Sequence, residues 1–210
     1  MKNQITLVLG PWGSGTSAYS GVLVELGLHS PPPYHRCSDP RTPNTYESKL
    51  FRDMVLDCVS EPHLRLVKSP AEIVDRIYRF REAIDDLAKN DASISNAYVF
   101  KHPLASFVLP QLKEVFPTLQ TICVLRKIEE IEATRQRRKW HPIYGEHGAS
   151  TIYGAIFKNL IEQTVPIEFV WYSKLIERPR QTILELADAI GIEPVERNVL
   201  SAIDLVTRKR

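Results

Sequence analysis

The chain contains 210 residues, of which 43% are hydrophobic and 25% are charged, and its formal net charge is +2. This length suits one α/β domain with a substantial buried core and is short for two, so we expect residues 1–210 to form a single domain. The net charge is too small to predict a nucleic acid as a partner. Every apolar run is much shorter than the roughly 18 residues of a membrane span, so we expect no membrane partner either.

Short apolar runs along the chain predict strands. They are continuous rather than alternating, which is typical of parallel strands covered on both faces. The predicted strands are residues 5–9, 64–67, 98–100, 121–125 and 168–171. Helical patterns lie between them, with one helix after the first strand, one over 73–87 and one over 175–190. This alternation predicts a three-layer α/β/α fold with a mostly parallel sheet.

The proline-rich segment, the cysteines and the N-terminal residues predict a mobile loop and a cellular compartment. The proline-rich segment 29–45, HSPPPYHRCSDPRTPNT, cannot form a regular helix or a central strand, so we expect a long loop and consider it a candidate lid. Cys37, Cys58 and Cys123 lack C-x-x-C spacing, which is typical of free thiols in a reducing compartment. The N-terminal residues leave no room for a signal peptide, so we expect a cytoplasmic protein.

A glycine loop, GPWGSGTS, occupies residues 10–17 between the first predicted strand and its helix. A strand, a glycine turn and a helix N-terminus direct backbone N–H groups and partial positive charge at one point, which suits an anion. The loop matches the pattern G-x-x-x-x-G-K-[ST], except that Thr16 replaces the lysine that neutralises nucleoside triphosphates. We therefore expect a metal-independent donor with fewer negative charges. The alternative is a turn that only lets the helix pack closely on the strand.

The segment GPWGSGTSAYSGVLVELGL, from Gly10 to Leu28, resembles the 5′-phosphosulfate loop of the sulfotransferase family, whose usual form is G-x-x-[RK]-S-G-T-[ST]. The segment ICVLRKIEEIEATRQRR, residues 122–138, is similar to the family's 3′-phosphate segment. That segment is a strand ending in arginine, followed by a helix with a serine or threonine eight residues later, and Arg126 with Thr134 fits it. Segments 44–49, 98–117 and 169–192 resemble the bacterial branch of the family.

This resemblance implies a P-loop-like fold and the transfer of a sulfuryl group from 3′-phosphoadenosine 5′-phosphosulfate (PAPS) to a hydroxyl or amine, without a metal. It implies a donor site formed by Trp12, Gly13, Ser14, Gly15, Thr16, Ser17, Arg126 and Thr134. Trp12 either covers the nucleotide or fills a gap in the loop, and Arg135 or Arg138 could help to hold the 3′-phosphate. The acceptor would be a small molecule or a glycan, and sugars, phenols, lipids and peptides all stay open.

The sequence departs from the family pattern at Gly13, where the family has the cation that stabilises the departing 5′-phosphate. Loss of one such donor costs about 10²–10³ in rate. We hypothesise that Lys101, at the end of a predicted strand, replaces that cation. His102, Glu47 and His35 are the candidate bases, although alternation along a strand predicts that Lys101 and His102 face different sides.

Two other functions fit the same residues. A catalytically weak relative that only binds nucleotide would explain the neutral Gly13, and a divergent P-loop kinase would explain the glycine loop. His141 and His147 are spaced more widely than paired zinc ligands usually are, so we expect no metal site.

Overall fold

Helices and strands alternate along most of the chain in the computed structural model, which describes residues 4–37, 39, 42, 44–90, 96–162 and 164–208. In chain order the elements are β1 (Gln4–Leu9), α1 (Thr16–Glu25), α2 (Lys49–Cys58), β2 (Val59–Ser60), β3 (Arg65–Leu66), α3 (Pro70–Asn90), β4 (Ala97–Lys101), α4 (Leu109–Val115), β5 (Gln120–Leu125), α5 (Ile128–Arg138), α6 (Glu146–Ile161), β6 (Ile167–Trp171), α7 (Tyr172–Glu177), α8 (Pro179–Ala189) and α9 (Glu196–Thr207). Short 3₁₀ helices occur at Pro103–Val108 and Pro142–Tyr144.

The central sheet of the described residues is parallel and has the strand order β4-β1-β5-β6. β1 lies between β4 and β5, and its register pairs Val8 with Lys101 and Leu9 with Cys123. The strands that follow β1 in the chain are therefore placed on both of its sides, β4 on one side and β5 on the other. Such a switch point opens a crevice at the carboxyl ends of the strands, where α/β folds bind ligands.

Both faces of the sheet are covered. Leu7, Leu9 and Phe100 belong to a buried core with residues of α2, α3, α4 and α6. Val8 and Val99 point to the other face and belong to a core with residues of α1, α8 and α9. The prediction of a three-layer α/β/α fold with a mostly parallel sheet is confirmed.

The predicted sheet strand at 64–67 is wrong. Only Arg65–Leu66 is extended there, and it pairs antiparallel with Val59–Ser60 in a separate two-stranded sheet. The connection between these two strands is a short turn, whereas a parallel partner would need a crossover of a dozen or more residues.

The predicted single helix over 175–190 is also wrong, because two helices, α7 and α8, occupy this segment. Arg178 separates them with an extended backbone (φ −136°, ψ 62°). Pro179 causes the break, since a proline disfavours helical geometry in the residue before it and suits the first turn of a new helix.

The described residues of the proline-rich segment 29–45 form a loop, as predicted, with single bridges at His29 and Tyr34. Residues 38, 40, 41 and 43 of the predicted loop lie outside the described residues. The three cysteines have free thiols. In the described ranges, no helix is long and apolar enough to cross a membrane. Those same ranges hold no cluster of three or more His, Cys, Asp or Glu side chains suited to a metal ion.

Candidate active site

The glycine loop connects β1 to the first turn of α1. Gly13 and Gly15 have φ values of +80° and +104°, a region that residues with side chains rarely adopt. A Cβ atom on Gly15 would also collide with the ring of Tyr172, which packs directly against the loop. Gly15 caps α1 without a side-chain hydrogen bond. The N–H groups of Thr16 and Ser17 therefore have no acceptor within the helix and are available to an anion.

Ser14 is the buried polar residue of this loop. Its side chain is fully buried and its hydroxyl has no hydrogen-bond partner. A buried hydroxyl without a partner costs about 1–3 kcal/mol. The loop packs so closely that a Cβ atom on Gly10 would lie 2.7 Å from Ser14 Oγ. Such an unsatisfied group is consistent with a loop shaped to bind a ligand.

Arg126 joins the two motifs that the sequence singled out. It is the first residue after β5, and its Nη1 donates to the Gly13 carbonyl at 2.7 Å and to Thr134 Oγ1 at 3.3 Å. Its Nε donates to Glu130 at 2.9 Å. The guanidinium also lies 4.8 Å from the centre of the Tyr172 ring. The strand-end arginine, the helix hydroxyl and the glycine loop thus meet at one place.

A cavity of about 270 Å³, here named the arginine cavity, opens at this meeting point. It is lined by loop residues 13 and 15–17 and by Arg126, Arg137 and Arg138. Arg137 and Arg138 also form ion pairs with the buried carboxylate of Asp39, at 3.0 and 2.5 Å. Arg135 is not in the wall, because its guanidinium binds Glu132 and the Trp140 carbonyl. The cavity therefore presents three guanidinium groups beside the helix N-terminus.

A second cavity of about 300 Å³, here named the Glu47 cavity, lies on the other side of the loop. Gly13, Thr16 and Ser17 line both cavities together with Thr42 and Arg138, and these shared residues form a common wall. Glu47 and Lys101 lie in the wall of the Glu47 cavity alone. Two ligands held in these cavities would lie on either side of the shared residues.

Glu47 is the centre of a buried charged cluster. Lys101 Nζ donates to Glu47 Oε2 at 2.7 Å, while Arg52 Nε and His102 Nε2 each lie 3.5 Å from Glu47 Oε1. Glu47 and Lys101 are 6% and 5% exposed. Burial by itself would raise the pKa of Glu47, but the neighbouring positive charges, led by that of Lys101, and the hydrogen bond from Lys101 together outweigh burial and bring the pKa to about 2. Glu47 is therefore a carboxylate at physiological pH.

His102 is a buried member of this cluster. It is 1% exposed and does not line the Glu47 cavity. Its Nδ1 accepts a hydrogen bond from the Leu104 N–H at 3.2 Å and so caps a 3₁₀ helix. Burial lowers the pKa of His102 to about 4. The neutral ring carries its hydrogen on Nε2 and has no free lone pair, so the geometry favours Glu47 over His102 as proton acceptor.

Lys101 lies in the wall of the Glu47 cavity and His102 does not. Both side chains nevertheless contact Glu47, on Oε2 and on Oε1, although the backbone at His102 is still extended (φ −158°, ψ 134°). His35 lies in the wall of the Glu47 cavity, and its backbone N–H donates to the Glu47 carbonyl at 2.8 Å. The replacement of the loop cation by Lys101 stays a prediction.

Solved structures share this architecture. The sulfotransferase domain of the Synechococcus PCC 7002 olefin synthase is 19% identical over 99% of this chain and 81% of that chain, with a TM-score of 0.59. Sulfotransferase STF1 from Mycobacterium tuberculosis H37Rv is 15% identical over 97% and 71% of the two chains, with a TM-score of 0.57. Sulfotransferase STF9 from Mycobacterium avium is 11% identical over 99% and 68%, with a TM-score of 0.61.

This chain has the sulfotransferase fold. No family model matches the sequence. No curated protein is detectably similar in sequence. The resemblance that two short motifs indicated is therefore confirmed at the level of the fold.

Trp12, which the resemblance assigned to the donor site, lies in the wall of the Glu47 cavity and not in that of the arginine cavity. Three further residues of the Glu47 cavity, Trp140, Tyr144 and Arg52, were not predicted from the sequence. Tyr172 lies against the loop from the start of α7. The signal for Trp140 and Tyr144 was the aromatic content of WHPIY, residues 140–144. Only the histidines of this segment were considered from the sequence, and no metal site was predicted there.

Proposed function

We propose that this protein is a sulfotransferase that binds PAPS in the arginine cavity and transfers the sulfuryl group to a hydroxyl or amine of a small molecule or glycan in the Glu47 cavity. The observation that carries this proposal is the common wall of the two cavities, which is lined by Gly13, Thr16, Ser17, Thr42 and Arg138. A group-transfer enzyme needs its two ligands side by side, and effective concentration rises steeply when reacting groups are held in contact.

The residues around the arginine cavity fit the two anionic ends of PAPS. The N–H groups of Thr16 and Ser17 at the start of α1 suit the phosphosulfate end. The guanidinium of Arg126 with the hydroxyl of Thr134 suits the 3′-phosphate, because arginine donates pairs of hydrogen bonds to phosphate oxygens. When bound, PAPS would supply the sulfuryl group.

The residues of the Glu47 cavity suit the acceptor. Glu47 is ionised and can accept a hydrogen bond from an acceptor O–H or N–H, which orients the nucleophile toward the common wall. With a pKa of about 2 it is a weak base, so it takes the proton only as the acceptor becomes acidic during transfer. Lys101 fixes the carboxylate at 2.7 Å and adds positive charge on the acceptor side of the loop.

Nucleotide binding tests the donor half of this proposal. Adenosine 3′,5′-bisphosphate should raise the melting temperature of the protein, because a ligand that binds only the folded state stabilises it. Arg126→Met should weaken that binding by about 10- to 100-fold, since hydrogen bonds to charged groups contribute about 1.5–3 kcal/mol. Arg79→Met, on the exposed surface of α3, is the matched control and should keep full affinity.

Two experimental outcomes would each contradict this proposal and favour a different function. Selective stabilisation by Mg–ATP would instead identify a divergent kinase. Binding of the bisphosphate without any turnover of PAPS across a panel of sugars, phenols and amines would identify a nucleotide-binding relative without activity. The neutral Gly13 is the observation that favours this second function.

A further inference from the structure

The Glu47 cavity combines an aromatic wall with an excess of positive charge. We infer that its acceptor is a small ring-bearing alcohol, phenol or amine that carries an anionic group of its own, with Arg52 as the anchor of that group. This inference rests on the proposed function, because it names the acceptor class of the same site.

The size of the cavity limits the acceptor. Its volume is about 300 Å³, which is at the lower end of the range of roughly 300–1,000 Å³ for small-molecule pockets. A molecule of about one or two rings fills such a space. A long glycan or a folded peptide would reach the cavity only with its terminal group.

The aromatic wall indicates that the acceptor contains a ring. Trp12 and Tyr144 pack edge to face with ring centres 4.7 Å apart, and Trp140 lies 6.0 Å from Tyr144. The three rings hold one another in place and line the same cavity. A rigid aromatic surface favours a flat ring placed against it over a flexible chain.

The charges of the cavity do not balance. Glu47 is shared between Lys101 and Arg52, so one carboxylate faces two permanent cations. The other carboxylate in the wall, Glu61, accepts a hydrogen bond from the Tyr144 hydroxyl at 2.6 Å. Arg36 also lines the cavity, and within the described part of the chain it forms no ion pair or hydrogen bond through its side chain. An anionic ligand would neutralise this excess.

Arg52 has the donors that such an anion needs. Its guanidinium lies 3.5 Å from Glu47 and 3.6 Å from Asp53, and both distances exceed those of ordinary hydrogen bonds. Its planar fork of N–H groups therefore forms two loose ion pairs without a close hydrogen bond to either carboxylate. The side chain is 25% exposed, which leaves it open to the cavity without being a freely moving surface group. A carboxylate or phosphate matches this fork in shape and charge.

Matched phenols test the inference. The probes are 4-hydroxybenzoate, its neutral analogue 4-hydroxybenzamide and the cationic tyramine, each titrated calorimetrically into protein saturated with adenosine 3′,5′-bisphosphate. We expect 4-hydroxybenzoate to bind at least about 10-fold more tightly than the amide, and tyramine to bind most weakly. The same order is expected in kcat/KM for sulfation with PAPS.

Arginine variants assign the effect to Arg52. Arg52→Met should abolish the preference for the benzoate, Arg52→Lys should retain part of it, and the control Arg79→Met should leave it unchanged. Melting temperatures establish that each variant is folded, and the lysine variant still tests the charge where the methionine variant does not fold.

The inference is overturned by equal binding of benzoate and amide, by a preference that survives in Arg52→Met, or by no binding of any probe at millimolar concentration. These failures are distinct from failure of the proposed function. If the bisphosphate binds and the anionic preference is absent, the inference alone is wrong. If the bisphosphate does not bind, the proposed function is wrong.

Discussion

Replacement of His102 by asparagine should remove most of the acid sensitivity of this protein between pH 7 and pH 5. His102 is buried and neutral, with its Nδ1 held by the Leu104 N–H. Its pKa falls on folding from 6.5 to about 4 because burial penalises the charged ring. The unfolded chain therefore binds a proton first as the pH falls. Stability contributed by the neutral ring is complete above pH 6.5 and is lost as the pH falls toward 4.

The size of the effect follows from these two pKa values. One group that titrates at 6.5 in the unfolded chain and at about 4 in the folded chain costs about 2 kcal/mol between pH 7 and pH 5. In the variant His102→Asn, the amide oxygen can still accept from the Leu104 N–H, so the cap of the 3₁₀ helix is retained. The variant has no proton to gain at this position and should lose the slope.

Urea denaturation at pH 7, 6 and 5 measures the free energy of unfolding directly. The unmodified protein should lose about 2 kcal/mol over this range from His102 alone, and His102→Asn should lose correspondingly less. His63→Asn, at an exposed turn, is the matched control and should keep the slope of the unmodified protein. A slope in His102→Asn equal to that of the unmodified protein would refute the assignment of a buried neutral imidazole.

Three substitutions test the loop and the cluster. Glu47→Gln should lower the free energy of unfolding by about 3 kcal/mol, because Lys101 would stay buried without its counter-charge. Turnover should fall as well. Urea denaturation measures the first effect and kcat the second. Gly13→Arg should cost about 1–2 kcal/mol, since φ is +80°, while a new Cβ would only come into ordinary contact with Thr134 at 3.4 Å. We expect its turnover to fall, and a large gain would instead mark a degraded loop. Lys101→Ala should reduce both turnover and bisphosphate affinity, and if both are unchanged Lys101 does not replace the loop cation.

The parts of the site that the sequence predicted are those set by local geometry. A glycine turn between a strand and a helix directs its backbone N–H groups at one point. An arginine at the end of a neighbouring strand lies at the same edge of the sheet. Gly13 and Arg126 accordingly meet in the structure. The four strands of the central sheet were also readable, because runs of buried residues have few alternatives.

The parts that the sequence did not predict depend on how distant elements pack. Arg52 lies on α2 and Tyr144 in a 3₁₀ helix, and no spacing along the chain relates them to the glycine loop. The shared contact of Lys101 and His102 with Glu47 depends on how the segment before α2 packs against the end of β4, and no spacing along the chain predicts it. Pro179 did carry a local signal for the break between α7 and α8, and the apolar periodicity on either side concealed it.

Gly13, Thr16 and Ser17 contribute small side chains to the partition between the two cavities. Thr42 and Arg138 line both cavities as well, and the guanidinium of Arg138 is held by Asp39. A larger residue at Ser17 should leave room for each ligand in its own cavity and should block transfer of the sulfuryl group between them by its bulk. This position therefore offers a way to uncouple docking from turnover without disturbing either set of arginines.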